Sequence, residues 1–328
     1  MIDVFCTQSH YRTHIAPIWH ALPPEERGTW WAAGSEADAG NPEGLPGWRR
    51  GYPPGNRLTV VAGFLDYAWC PGPTVYLEHG AGQTYDGDPT DTTATGHEAY
   101  SGSRGHDRAR LFLCPSETVA ARWRERYETV PAVAVGCPKL DWWHTHPAAG
   151  GGGSQPTVAI TFHADNRLCP ETTTAWRHYE AGLPAAVTDL RAAGWRVIGH
   201  GHPRLWKDLR WFWQRIGVEP VEDFNLVLRD ADVLVVDNSS TGPEFASTGR
   251  PIVWMNAPWY RRHVDHGGRF WRWTDGVPTV DEPGQLAQVL TNAMYGPTDG
   301  RDRMVADVYV AADGKAAARA AEAILDIS

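Results

Sequence analysis

The chain has 328 residues, 42% of them hydrophobic and 21% charged, a length and balance that suit two packed cores rather than a disordered or fibrous chain. Thirty Lys and Arg against 39 Asp and Glu leave a net charge of −9, which argues against strong non-specific binding to nucleic acid or docking on an anionic membrane through a basic face. No apolar run approaches the roughly 20 residues that span a bilayer, so no integral membrane contact is expected. The opening MIDVFCTQSH lacks the basic and apolar regions of a secretory leader, and Cys6, Cys70, Cys114, Cys137 and Cys169 form no CxxC pair. A cytoplasmic protein with no disulfide framework or zinc site is expected.

The elements alternate. IDVFC (2–6) reads as a buried strand, and apolar spacing over Ile15, Ile18, Trp19 and Leu22 predicts a helix that ends at Pro23 and Pro24. Strands are predicted at 28–34, 58–64 and 73–80, with loops at 35–56 and 81–108. ARLFLCPS (109–116) is a strand, and Ser116 caps a helix over 117–127. The Gly-rich PAAGGGGSQP (147–156) is the clearest linker. After it come a strand at 157–164, a helix within 172–194, a strand at 196–203, a Trp-rich helix at 205–217 and a short helix in FNLVLRDA. DVLVVDNSSTGPEFASTGRPIVWM (232–255) then gives strand, turn, helix from near Pro243, and strand. DGKAAARAAEAILDIS is an Ala-rich terminal helix. This rhythm predicts an α/β fold of two Rossmann-like αβα domains facing a cleft. The domains are 1–148 and 157–328, joined by a linker at 149–156. The terminal helix packs back across.

Chemistry-bearing residues fall at predicted carboxyl ends of strands, where such sheets bind ligands. The turn Asn238, Ser239, Ser240, Thr241 and Gly242 combines hydroxyls with a helix start, which suits a phosphate or diphosphate but also reads as a plain cap. Glu244 lies close behind, either to accept from ribose hydroxyls or as a partner of the helix dipole. His79 ends a strand before Gly80, Ala81 and Gly82; it is placed to act as a general base or to hold the turn backbone. His200 and His202 stand two apart, with Arg204 beyond them. A metal pair is the weaker reading, and a phosphate-directed role for His202 and Arg204 is the stronger one. His14, opening the first helix, is either a further acceptor-side candidate or a plain helix-start histidine, and Asp165 is a weaker candidate. No protein-bound cofactor or metal is expected. The 17 tryptophans belong either to cores or to faces that stack on sugars and bases.

Four blocks resemble, in order and spacing, the CDP-glycerol glycerophosphotransferase family, which makes teichoic-acid-like polymers on a GT-B fold. LEHGAGQTY (77–85) is similar to its His-Gly motif, and GCPKLD (136–141) to its Gly-x-Pro-Arg-Asn-Asp segment, with Lys139 and Leu140 replacing Arg and Asn. GHGHPRL (199–205) is similar to its second His-Pro segment. DNSSTGPEFASTGRPIV resembles its Asp-Tyr-Ser-Ser segment, with Asn238 for Tyr and Glu244 for a later acidic residue; beyond these four, the terminal DGKAAARAAEAIL is also similar to its final Asp-Gly-Lys helix.

The resemblance implies that His79 deprotonates an acceptor hydroxyl. It also implies that domain 1–148 binds the acceptor and domain 157–328 the nucleotide-diphosphate donor, whose phosphates His202, Arg204, Ser239, Ser240 and Thr241 hold. The expected activity is a metal-independent GT-B transfer of a glycerophosphate-like or glycosyl group. A UDP- or GDP-sugar glycosyltransferase acting on a small molecule, protein or modified nucleobase is the alternative. A UDP-N-acetylglucosamine 2-epimerase or a non-catalytic nucleotide-binding protein stands behind both.

Overall fold

The computed structural model describes residues 1–41, 44–79, 101–147, 151, 153–165, 173–260 and 276–328. These form two compact units. One contains the described residues up to Thr145 together with Ala306–Ser328, and the other is His146–Val305.

The first unit runs β1 (Ile2–Cys6), α1 (Ser9–Ala21), β2 (Arg27–Ala32), α2 (Gly34–Ala39), β3 (Trp48–Arg50), β4 (Thr59–Ala62), α3 (Phe64–Trp69), β5 (Thr74–Leu77), β6 (Ala109–Cys114), α4 (Glu117–Arg126), β7 (Ala132–Ala134) and α5 (Asp141–Thr145). The second unit runs β8 (Thr157–Phe162), α6 (Trp176–Tyr179), α7 (Leu183–Ala192), β9 (Arg196–Gly201), α8 (Trp206–Arg215), β10 (Glu219–Pro220), α9 (Phe224–Asp230), β11 (Val233–Val236), α10 (Thr241–Ala246), β12 (Ile252–Met255), β13 (Thr279–Val280) and α11 (Leu286–Tyr295). Then α12 (Asp299–Val308) leads to α13 (Ala316–Leu325), whose buried stripe (Ala316, Ala317, Ala320, Ala321, Ile324) joins the first unit's core against α1.

Both sheets are parallel throughout, in the orders β3-β2-β1-β4-β5-β6-β7 and β10-β9-β8-β11-β12-β13. Counted from its own first strand, the second reads 3-2-1-4-5-6 and the first the same with a seventh strand added at the end, the doubly wound order whose direction reverses between strands one and four. The central strands are buried on both faces, which is why they read as continuous apolar runs rather than alternating ones.

Helices pack by the stripes their sequences carry. In α8, Trp206, Leu209, Phe212 and Trp213 are buried, each contributing about 1.5–3 kcal/mol of apolar transfer. That helix lies directly on β9 because β9 carries glycine there. A Cβ on Gly199 would sit 2.3 Å from Trp213 and one on Gly201 2.1 Å from Leu209. The glycines of the GHGHP block thus serve close helix–strand approach. Ser116 caps α4 as expected, accepting from Val119 N at 3.4 Å.

Two elements interrupt the segment expected to be a loop at 35–56: α2 and β3. Helix α2 has no apolar periodicity; it is held by an ion pair, the buried Glu36 taking both Arg12 Nε and Nη2 at 2.8 Å. Helix α10 begins at Thr241 rather than near Pro243. The tryptophans are largely core: Trp19, Trp30, Trp123 and Trp213 are fully buried, while Trp69, Trp142 and Trp211 are exposed. Cys6, Cys70, Cys114 and Cys137 are free and buried. Among the described residues no helix is long and apolar enough to cross a membrane.

Candidate active site at the switch points of the two sheets

In the first unit the sheet reverses direction between β1 and β4. Past β1, Thr7 donates its backbone N–H to Asp66 Oδ1 at 3.1 Å and its hydroxyl to the same oxygen. Asp66 lies in the first turn of α3 and is fully buried, and its Oδ2 has no hydrogen-bond partner among the described residues. Burial pushes its carboxyl up to about 8, against the lowering effect of the Thr7 bonds, and nearby Glu36 raises it further.

Next to that reversal, His79 stands two residues past β5. Its ring lies 4.4 Å from Tyr11, 5.8 Å from His14 and 6.3 Å from His10, all on α1. Gly63, the residue after β4, has φ +95; a Cβ there would come within 2.9 Å of His79 Cε1 and 3.0 Å of Tyr11 Oη. His14 belongs to the second turn of α1, not its start, because the helix begins at Ser9. Burial first, then the Lys139, His79 and His10 charges, depress His14 well below the usual imidazole range, so it is neutral and puts no charge beside His79. Gly80 and Gly82 lie outside the described residues. His10, Tyr11, Gly63 and Asp66 carried no sequence signal beyond their places after strand ends.

In the second unit the reversal falls between β8 and β11. Register aligns the carboxyl ends of three strands: Phe162 of β8 stands opposite Gly201 of β9, and Thr161 opposite Val236 of β11. The residues that follow these ends converge. His163 donates its N–H to Asp237 Oδ1 at 2.8 Å, and Asp237 Oδ2 accepts from Ala175 N at 3.1 Å and Thr174 Oγ1 at 3.2 Å. Desolvation still lifts Asp237 to about 7. The His163 and His202 rings lie 4.9 Å apart. His202 Nδ1 accepts the Arg204 backbone N–H at 3.1 Å, so the proton of the neutral ring is on Nε2, and burial with the Arg204 charge pulls its pKa to about 4.

Asp237 leads into the hydroxyl turn. Ser239 is buried and donates its N–H to Asp237 O at 2.8 Å; its Oγ accepts from Thr241 N at 3.3 Å and lies 2.9 Å from Thr241 Oγ1. With Oγ accepting a backbone N–H, the Ser239 hydroxyl proton is left to be donated elsewhere. Ser240 and Thr241 are partly exposed, and Asn238 and Glu244 are buried.

His200 and His202 engage different neighbours rather than forming a pair. His200 is buried, its Nδ1 2.6 Å from Thr161 Oγ1, whereas His202 follows the strand end beside His163. Arg204 is exposed, and Asp165 pairs with Arg177 at 3.1 Å. The signal that could have found His163 is positional: it is the first residue past the first strand of its sheet.

The sequence holds two Asp-x-Asp triplets, a pattern that can hold a metal ion. Asp86 and Asp88 lie outside the described residues. Of the other triplet, Asp230 pairs with Arg229 at 2.6 Å and Asp232 accepts Thr157 N at 2.7 Å. Among the described residues no three His, Cys, Asp or Glu side chains gather as a metal-binding group.

The blocks GCPKLD and DGK meet, but in a structural clasp. Asp141 caps α13, taking Ala316 N at 2.9 Å and Ala317 N at 2.7 Å, and Arg319 joins Asp313 to Val135 O. Gly314 (φ +73) packs against Thr145 and Asp141 O.

No family model and no curated protein sequence matches the chain. Solved structures do. The wall teichoic acid polymerase TagF superposes with a TM-score of 0.68 at 13% identity, over 99% of this chain and 89% of that one. A UDP-N-acetylglucosamine 2-epimerase gives 0.62 at 11% identity over 99% and 95%, and S. aureus MnaA with UDP gives 0.61 at 12% over 100% and 97%.

The fold is GT-B.

At these identities the likeness establishes architecture alone. It accords with the GT-B fold that the sequence blocks imply.

Proposed function

We propose that the chain is a GT-B transferase that takes a glycerophosphate-like or glycosyl group from a nucleotide-diphosphate donor and delivers it to an acceptor hydroxyl. The observation that carries this reading is that, past three adjacent strand ends of the second unit, His202, a neutral Nε2–H donor, lies beside His163, which is bonded to Asp237 at the start of the turn that carries the Ser239–Thr241 hydroxyls. Such a set of donors suits a diphosphate leaving group, whose growing charge it would neutralise as the bond breaks. In the first unit His79, held by Gly63 and Tyr11 and flanked by a neutral His14, is the base that would take the acceptor's proton. Arg204, Asn238 and Glu244 complete the donor side in this reading. TagF has been solved after a soak with CDPG, and MnaA with UDP, which supports a nucleotide diphosphate as the ligand class here.

The test is a thermal-shift panel of CDP-glycerol, CDP-ribitol and UDP-, GDP- and dTDP-sugars, since a ligand of the folded state stabilises by mass action. Stabilisation by CDP-glycerol favours glycerophosphate transfer, and stabilisation by one sugar nucleotide alone favours glycosyl transfer. No shift with any of them sinks the proposal.

One observation favours a second reading. Asp66 is a buried carboxyl held protonated near neutral pH, the kind of group that serves proton transfer at carbon, and one of the compared folds is an epimerase. An epimerase would convert a UDP-sugar with no acceptor present; a transferase would leave it unchanged.

A further inference from the structure

One carboxyl ties together two of the elements that hold His79. Gly63 leads into α3 and Tyr11 lies on α1, and both stand against the His79 ring. Asp66, in the first turn of α3, accepts the Thr7 backbone N–H at 3.1 Å and the Thr7 hydroxyl, both on Oδ1. Thr7 leads into α1. Its carbonyl accepts the Glu36 N–H at 3.3 Å, Gln8 is the residue before the helix, and Gln8 O accepts the Tyr11 N–H at 2.9 Å. The carboxyl thus fastens the start of α3 to the start of α1.

It does so as a neutral acid. Asp66 is fully buried, and with Oδ2 lacking a hydrogen-bond partner among the described residues, a carboxylate would place an uncompensated charge in the core. The groups around it do not offset that charge. At the end of β1 the Cys6 thiol donates to Gln8 O at 3.1 Å and burial keeps it neutral, as burial does the Tyr76 hydroxyl of β5. Glu36 of α2 is paired with Arg12 of α1 and opposes a second carboxylate, and the Tyr67 hydroxyl of α3 accepts the Arg108 N–H at 2.8 Å. Burial foremost lifts Asp66 to about 8 against the two Thr7 bonds, and Glu36 adds to the rise.

We infer that Asp66 is a positioning residue for His79 that works only as the neutral acid, so that losing its proton opens the junction of α1 with α3 and sets the alkaline limit of acceptor binding. The proton passes to solvent, and no other covalent bond changes. This rests on the acceptor-side reading of His79 above and adds Asp66 to it.

The experiment follows the His79 ring by NMR in the full chain between about pH 6 and 10, its signal assigned by its absence from His79→Gln. In the wild-type protein that signal changes with a midpoint near 8. The change is absent from Asp66→Asn, whose amide oxygen still accepts from Thr7, and moves to higher pH in Thr7→Val, which removes a bond that favours the carboxylate. Acceptor KM is then measured with the donor that the thermal-shift panel selects. It rises about tenfold from pH 7 to 9 in the wild type, because only the neutral fraction binds, and stays within about twofold in Asp66→Asn. A wild-type ring signal with no change near pH 8 overturns the inference and leaves the proposed function standing. A change kept in Asp66→Asn, or a wild-type KM flat from pH 7 to 9, overturns it too. Asp66→Asn without turnover at pH 7, where the wild type works, gives Asp66 the proton-transfer role of the second reading and overturns the positioning one. Ring changes as expected with no transfer to any acceptor support the tie between Asp66 and His79 and sink the proposed function instead.

Discussion

Gly63 decides where His79 can stand. Its positive φ and the 2.9 Å approach of His79 leave no room for a side chain. Gly63→Ala is expected to cost about 1 kcal/mol or more of stability, and to push His79 and Tyr11 out of place. Transfer activity should fall much further than the thermal midpoint would suggest, which parallel assay and melting of the variant would check. On the donor side, Ser239→Ala with Ser240→Ala removes two hydroxyls from the proposed diphosphate contact. A hydrogen bond to a charged group contributes about 1.5–3 kcal/mol, so donor affinity should drop at least about tenfold, with the fold retained; unaltered affinity would end that assignment. Asp66 offers a prediction of opposite character. Its folded-state pKa of about 8 lies above the ordinary 3.8, so the folded form binds the extra proton between these values and Asp66 costs stability as pH rises through them. Asp66→Asn should therefore gain on the wild type between pH 5 and 8, read from urea midpoints at each pH.

At the scale of elements, the clearest lesson concerns α13. Its sequence specifies a helix outright, Ala-rich and with a five-residue apolar stripe, yet says nothing about which sheet receives it. The partner is chosen by Asp141, whose carboxylate satisfies two N–H groups at the helix start, and by the Gly136 and Gly314 backbones that permit the close approach. Two blocks that the family resemblance groups with the site, 136–141 and 313–315, thus become parts of one clasp. Asp141→Ala leaves those two buried N–H groups without their acceptor. It should cost roughly 1–3 kcal/mol, with amide exchange in α13 rising before that in α4. The reverse case is α2, which no periodicity reveals because Arg12 and Glu36, remote in sequence, hold it. Helix α8 shows the middle ground. Its Trp and Phe spacing is plain in the sequence, but the reason for Gly199 and Gly201 becomes visible only when Trp213 and Leu209 lie over them.

Across the whole molecule, both sheets use the same device at the reversal of strand order. A buried aspartate, Asp66 in one and Asp237 in the other, accepts the backbone N–H of the residue just past the first strand. These two acids and the buried histidines pull the pH profile in opposite directions. His14, His106 and His202 are depressed, the latter two to about 4, so the unfolded chain binds their protons first and stability rises with pH up to about 6.5. Asp66 and Asp237, raised to about 8 and about 7, oppose this from about 4 upward and act without the histidines' offset above 6.5. Denaturation midpoints should accordingly rise modestly from pH 5 toward 6, where three histidines outweigh two aspartates, then decline toward pH 8, with the decline smaller in Asp66→Asn.

The alternation of apolar runs and amphipathic helices and the hydroxyl turn at 238–242 were determined by the sequence alone, because each depends on residues near one another in the chain. Periodicity, capping and turn chemistry are local, and so the doubly wound architecture was legible along with the places of His79 and His202. What only the tertiary structure decided is which residues share a site. His163 with His202 and Asp237, Gly63 under His79, and Asp141 at α13 all join segments that pair through strand register or close backbone approach. Register and packing are properties of the folded sheet, and they turn a set of single residues past strand ends into a site.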